Sequence, residues 1–451
     1  MKFLRSFIIL LLVCFTMLMA SPPAWAFCGF YVAKADAKLY NQASQVAIAR
    51  DGNRTVLTMA NDYQGPVKDF AIVVPVPVVL QREQINVGDP KIIERLDAFS
   101  APRLVEYFDP DPCMPIPPPA AAPFPGSLAR SSATAESRQR RDNTLGVTVE
   151  AQYTVGEYDI LILSARESDG LETWLRENGY RIPNGASQLL QPYIRQRLKF
   201  FVAKVNLDKF EQSGFQSLRP LQMAYESPRF MLPIRLGMVN ARSEQDLIIY
   251  LMSPKGQVEL TNYRTVKIPS NETIPVFVKD EFSNFYKAMF KTAYTRENKR
   301  VAFLEYAWNM GGCDPCAADP LTPEELRKAG VFWLNFPTRP DVGGRGMPIV
   351  RPNVFITRLH VRYTRDKFPE DLMFQETSNQ EFFQGRYILQ HPFKGDLSCR
   401  AGQEYKRQLS QRFEQESQTL ARLTGWDIRD IRRKQPTADY RPEPWWRSLW
   451  N

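Results

Sequence analysis

Residues 158–163 read YDILIL and residues 199–205 read KFFVAKV, and the way the chain passes from one to the other decides the fold class. The first run is a buried-strand pattern and the second a strand rich in aromatic and β-branched residues. Between them Ser168 precedes a short helix whose Leu171, Trp174 and Leu175 share a face, with Gly179 where a C-cap belongs. A second helix is expected over residues 186–197, with Pro192 inside it. Strand, helix, helix, strand suits a layered α/β arrangement.

Toward the N-terminus, TVLTM (55–59) and FAIVV (70–74) read as strands linked by a polar turn, residues 61–66. Pro75 and Pro77 place the end of the second strand at a sheet edge. Residues 90–99 predict a helix with Pro90 at N1 and Ile92, Ile93 and Leu96 on one face. Toward the C-terminus, residues 234–236, 247–252 (LIIYLM), 276–278 and 301–308 read as further strands. The clearest helix is 281–293, where Phe282, Phe285, Tyr286, Met289, Phe290 and Ala293 form one wide apolar stripe, a core face rather than a ligand or membrane face. Thr322, Pro323 and Glu325 spell a capping box that opens another helix, ended by Gly330. In NVFITRLHVRY (353–363) apolar residues alternate with Arg358, His360 and Arg362, which predicts a strand with one wet, basic face. The alternation slips once, between Ile356 and Leu359, which leaves room for a bulge there. Residues 403–434 read as helical, with Tyr405, Leu409, Phe413, Leu420 and Leu423 on a seam, followed by Trp445, Trp446 and Trp450 in a tail. The expected class is α+β, with mixed or antiparallel sheets, packed helices and a helical C-terminal extension.

The first 26 residues are a separate object. Lys2 and Arg5 precede fourteen uncharged residues, 7–20, fewer than the roughly 20 that span a bilayer as a helix. Ser21-Pro22-Pro23 breaks the run, and Ala24-Trp25-Ala26 supplies small residues at −3 and −1 of a cleavage site, the secretory pattern. Phe27 before Cys28 is too bulky for a lipid-attachment site. The expected product is exported to the periplasm or beyond, with no transmembrane segment after cleavage. Losing Lys2 and Arg5 takes the formal charge of the 451-residue chain from +9 to +7, modest for its length. Hydrophobic residues at 44% and charged residues at 24% exclude a disordered chain, and 35 prolines argue for many loops. Eight prolines fall in residues 110–126, and a Ser-, Ala- and Arg-rich stretch follows. A linker is expected over about 114–142, dividing a domain of residues 27–400 internally, with a basic helical extension over 401–451.

Five cysteines remain after cleavage: Cys28, Cys113, Cys313, Cys316 and Cys399. Export permits disulfides, and the odd count leaves one thiol over or pairing incomplete. Cys313-Asp314-Pro315-Cys316 can be a structural bond, a redox dithiol or half a metal site. The next helix starts only at Thr322, too far for its dipole to favour a thiolate, and no second C-x-x-C or His pair completes a zinc site, so the structural reading leads. His360 and His391 are the only histidines, and no Gly-x-Ser-x-Gly elbow accompanies them. Asp109-Pro110-Asp111-Pro112 lacks the further acids of a calcium loop. Gly343-Gly344-Arg345-Gly346 fits no phosphate loop. Arg429, Arg432, Arg433 and Lys434 could touch an anionic lipid or polymer, or form a solvated helix face. No catalytic residue, metal, cofactor or nucleic-acid partner is assigned.

FCGFYV (27–32), DFAIVVPVP (69–77), APRLVEYFDPDPC (101–113), LETWLRENGY (171–180) and CDPC (313–316) resemble, in order, a prokaryotic exported family known as domain of unknown function 2330. The resemblance runs from about residue 27 to about 400. It implies one exported domain across most of the chain, with the linker as an insertion. The family carries no established activity, so no residue roles are carried over. Two expectations follow: a non-enzymatic envelope or extracellular protein that binds an anionic surface polymer or another envelope protein, and, as the alternative, a thiol–disulfide oxidoreductase using Cys313 and Cys316.

Overall fold

The structure, a computed structural model, describes residues 43–60, 71–114, 146–178, 186–214, 218–238, 244–312, 318–334 and 352–436. YDILIL lies in strand β7 (Tyr158–Ala165) and KFFVAKV forms β8 (Lys199–Val205), side by side and antiparallel, with Ile160 opposite Ala203 and Ile162 opposite Phe201. Helices α2 (Ser168–Glu177) and α3 (Ala186–Arg195) pack on one another between them. A two-helix excursion returns the chain to its starting end, so the next strand runs back rather than parallel. Strands β3 (Ala71–Val76) and β6 (Val147–Val155) complete a sheet of order β3-β8-β7-β6. Pro75 sits opposite Phe200 in β3, an edge strand among the described residues, the sheet position that tolerates proline.

The larger sheet has nine strands in the order β13-β15-β16-β11-β1-β2-β9-β4, with β18 beside β15. These are β1 (Ala43–Asp51), β2 (Arg54–Met59), β4 (Ile85–Val87), β9 (Leu221–Glu226), β11 (Gln245–Ser253), β13 (Arg264–Lys267), β15 (Val301–Asn309), β16 (Phe355–Tyr363) and β18 (Phe383–Gln384). Pairs β1–β11 and β13–β15 are parallel and the remainder antiparallel, so the sheet is mixed. Two small sheets flank it: β10 (Met231–Leu232), β17 (Leu372–Glu376) and β12 (Val258–Leu260) in one, and β14 (Glu272–Ile274), β19 (Arg386–His391) and β5 (Arg103–Phe108) in the other.

Period-2 alternation assigns the faces of the large sheet. Val46, Ile48, Leu247, Ile249, Leu251, Leu359 and Val361 share a core with Ile160, Ile162 and Phe201 of the four-stranded sheet. Ala47, Ala49, Ile248, Tyr250, Met252 and Phe303 face helices α1 (Pro90–Ser100) and α5 (Phe282–Arg296). On the far side of the small core, Val73, Phe200 and Val202 meet Leu171, Leu190 and Tyr193 of α2 and α3. The result is four layers, helix–sheet–sheet–helix, and it explains why LIIYLM is apolar without a break: β11 is covered on both faces. Short helix α4 (Leu207–Ser213) follows β8, and α6 (Pro323–Lys328) starts at a complete Thr322/Glu325 capping box. Gly330 follows α6 at φ +97°, where a Cβ would stand 2.5 Å from Val56, so glycine lets the chain close onto β2.

The stripe on α5 buries Phe285, Tyr286, Met289, Phe290 and Ala293, each large side chain contributing about 1.5–3 kcal/mol. Against α5 packs α7 (Arg400–Thr424), which buries Leu409, Leu420 and Leu423. The helix expected over 403–434 is two: Gly425, left-handed at φ 74°, ends α7, and α8 (Ile428–Lys434) starts afresh at Asp427. Two expected strands are corrected. Residues 234–236 do not form one, because Pro233 stops β10 at Leu232, and Val276–Lys279 is a 3-10 turn after Pro275. No helix among the described residues is long and apolar enough to cross a membrane.

Candidate functional site

The basic face of β16 is not wet. Arg358 is 4% exposed and His360 0%, sealed between the large sheet and helices α1 and α5. Nor does β16 carry a bulge: its register with β11 is unbroken from Phe355 to Tyr363. Its even-numbered residues all point to the helix layer, and Val354 and Ile356 lie on that face beside the bases, so the apparent slip is a strand buried on both sides. The bulge belongs to the partner β15, between Leu304 and Tyr306, and it carries Glu305.

Glu305 is 1% exposed and its carboxylate accepts from three groups. Arg358 Nε lies at 2.7 Å and His360 Nδ1 at 2.8 Å, and Tyr286 of α5 donates its hydroxyl. Asp97 of α1 accepts from Arg358 Nη1 at 2.6 Å and from the Tyr250 hydroxyl at 2.8 Å. Asp246 of β11 takes His360 Nε2 at 3.1 Å and both Nε and Nη2 of Arg362, at 2.7 and 2.8 Å. Phe290 stacks on the His360 ring with centroids 3.9 Å apart. Both imidazole nitrogens face carboxylates, so the protonated ring satisfies both as a donor. Three cations then balance three carboxylates.

Burial alone would drive the Glu305 carboxyl up, but the charges of His360 and Arg358 outweigh it and hold the group at about 2. Burial would push His360 down, and Glu305 and Asp246 reverse that, leaving it above its ordinary value. Asp246 is likewise held low, against its own burial, by His360 and Arg362. Each acid is already engaged by a guanidinium: Glu305 and Asp97 by Arg358, Asp246 by Arg362. Among the described residues no group of three or more His, Cys, Asp or Glu side chains is placed to hold a metal ion.

A second cluster joins the C-terminal helices to β5. Asp109 accepts from Tyr405, from Arg412 Nη1 at 2.7 Å and from Gln390 at 2.5 Å, while Asp111 caps its own loop through Cys113 N–H at 2.8 Å. The two acids of the Asp-Pro-Asp-Pro run are therefore structural. Burial pushes the neighbouring Glu416 carboxyl up to about 7. His391 pairs with Glu106 at 2.8 Å and stacks on Phe108. Cys113 and Cys399 are joined by a disulfide across a separation of 286 residues. Cys28, Cys313, Cys316, the first 26 residues, Gly343–Gly346 as a run and the Trp-rich tail lie outside the described residues.

The basic cluster of α8 is internally matched: Arg429 pairs with Asp427, Arg432 with Glu414, Arg433 with Asp430 and Lys434 with Glu281. Beside it opens a hollow of about 600 Å³ whose walls include Phe277, Asn284, Trp426 and Ile431. Glu281, Asp427 and Asp430 against Arg433 and Lys434 give this lining an excess of one negative charge. A smaller hollow of about 310 Å³ lies at the β4 edge, lined by Gln84, Asn86, Gln222 and Phe332 among others. Neither reaches Glu305 or His360.

Sequence reasoning found the three bases of β16 but missed their partners Asp97, Asp246 and Glu305. The available signal was a lone carboxylate inside an otherwise apolar strand, VAFLEYAW, which a half-wet strand would not require to be paired.

Layers of helix and mixed sheet closed around a paired ionic network define an α+β protein in which Glu305, Arg358 and His360 are sealed inside. The chain belongs to the family described as uncharacterized proteins conserved in bacteria, DUF2330, whose model matches residues 22–375. No curated protein and no solved structure matches it.

Proposed function

We propose that this is an exported, non-enzymatic envelope or extracellular protein that binds another envelope protein through the hollow between α5 and α8. The observation that carries the reading is the closure of the ionic network: His360, the natural acid–base group, is wholly buried under Phe290 and consumed by two carboxylates. A reacting group needs to touch its substrate, and this one touches only its own fold. The hollow instead offers Trp426 and Phe277 beside matched charges, the mixture of aromatic anchor and polar rim that suits a protein segment. Its excess negative charge and the pairing of every α8 base favour a protein over an anionic polymer. Export is supported by the leader-like residues 1–26 and by a disulfide, which persists in oxidising compartments.

A photo-crosslinking residue at exposed Asn284, in cells, tests the binding reading. The expected result is one adduct to an exported protein that disappears with Trp426→Ala; no adduct, or one indifferent to that change, refutes it. N-terminal sequencing of the native product is expected to start at Phe27, and a cytosolic chain starting at Met1 would overturn export. The oxidoreductase alternative rests on Cys313 and Cys316 alone, and an inert bond between them under mild thiol removes it.

A further inference from the structure

We propose that the Cys113–Cys399 disulfide is a thiol–disulfide exchange site, attacked at Cys113 with Cys399 as the departing sulfur. This is independent of the binding hollow and does not involve Cys313 or Cys316. The two sulfurs sit in opposite electrostatic settings. Cys399 is the N-cap residue of α7, a helix of 25 residues, and its Sγ accepts the Gly402 N–H at 3.1 Å. Negative charge there is stabilised by that donor and by the positive end of the helix. Cys113 Sγ lies 3.7 Å from the Asp396 carbonyl oxygen, and the Asp111 carboxylate caps the Cys113 backbone, so both neighbours disfavour a thiolate on this side. Cys113 is also the exposed partner, while Cys399 is half-buried. Exchange is fastest when the attacked sulfur is accessible and the leaving thiol is the more acidic, and here both conditions select the same direction.

The co-reactant is a dithiol, either a small molecule or the paired cysteines of a partner protein. Its thiolate forms a bond to Cys113 Sγ as the Sγ–Sγ bond breaks, and that electron pair leaves on Cys399. The second thiol of the reagent, once deprotonated, attacks its own sulfur in the mixed disulfide and expels Cys113, which takes up a proton from water. Two electrons have then passed from the dithiol, now a disulfide, to the protein. The first turn of α7 keeps its cap but loses its covalent tie to the end of β5. The noncovalent hold that remains there includes Tyr405 and Arg412 on Asp109.

The full-length mature protein, without denaturant, is treated with dithiothreitol, alkylated and mapped by mass spectrometry, with circular dichroism recorded in parallel. The expected result is that Cys113 and Cys399 become alkylated while the fold is retained. A bond that opens only on unfolding overturns the proposal. Glutathione, a monothiol that traps the first step, is expected to be found on Cys113, and a majority on Cys399 reverses the assignment and overturns it. In Cys113→Ser, the pH midpoint for iodoacetamide reaction of Cys399 is expected well below the ~8.5 of an ordinary thiol, and an ordinary midpoint overturns the proposal. Should that variant not fold, the two measurements on the natural protein decide.

Discussion

Glu305 holds Arg358, His360 and Tyr286 at once, and its replacement leaves buried cations without their counter-charge. Glu305→Gln is therefore expected to cost about 3–5 kcal/mol, read as a lower urea midpoint at unchanged slope. The network also fixes a pH profile. Glu305, held at about 2, adds stability above its ordinary 4.5, and this is lost as pH falls toward 2. His360, raised above 6.5, adds stability that is complete below 6.5 and is lost as pH rises through its folded value. The difference in urea midpoint between the natural protein and His360→Gln is thus expected to be largest between pH 4.5 and 6.5 and to shrink on the alkaline side. A difference that grows with pH would refute the imidazolium assignment. The bases were legible because they recur every second residue in one strand. Their acids were not, because Asp97, Asp246 and Glu305 come from three other elements, and a single carboxylate in each carries no periodic signal.

Helix ends and stripes were the most readable elements, since caps and apolar faces are local in sequence. The Thr322/Glu325 box was visible in four residues and is present with both hydrogen bonds. Thr322→Ala is expected to cost about 1 kcal/mol, measured by thermal unfolding. Gly425 was overlooked as a break because the apolar seam runs up to it and basic residues continue beyond. The two mistaken strands were each three residues long, where an apolar run cannot distinguish a strand from a turn. Helix α7 lies past the residues the family model matches, yet Leu420 is 0% exposed against the α5 side of the core. Leu420→Ala is accordingly expected to lower stability by about 2–5 kcal/mol within one cooperative transition. An unchanged midpoint would mean that α7 is not part of the same folding unit.

At the scale of the molecule, the α+β class followed from composition and segment order, but the sheet order did not. Strand β1 pairs with β11, and Gln45 meets Tyr250 across 205 residues of chain, a partnership that no local pattern encodes. The four layers emerge only when both faces of β1, β11 and β16 are seen to be covered. The bond between Cys113 and Cys399 spans a still larger share of the chain. Backbone cleavage at any one position between those two residues therefore yields pieces that remain a single molecule by mass. Such a nicked chain would run near full length on a gel without reductant and as two bands once a thiol is added, so damage or processing in that interval stays hidden on a non-reducing gel.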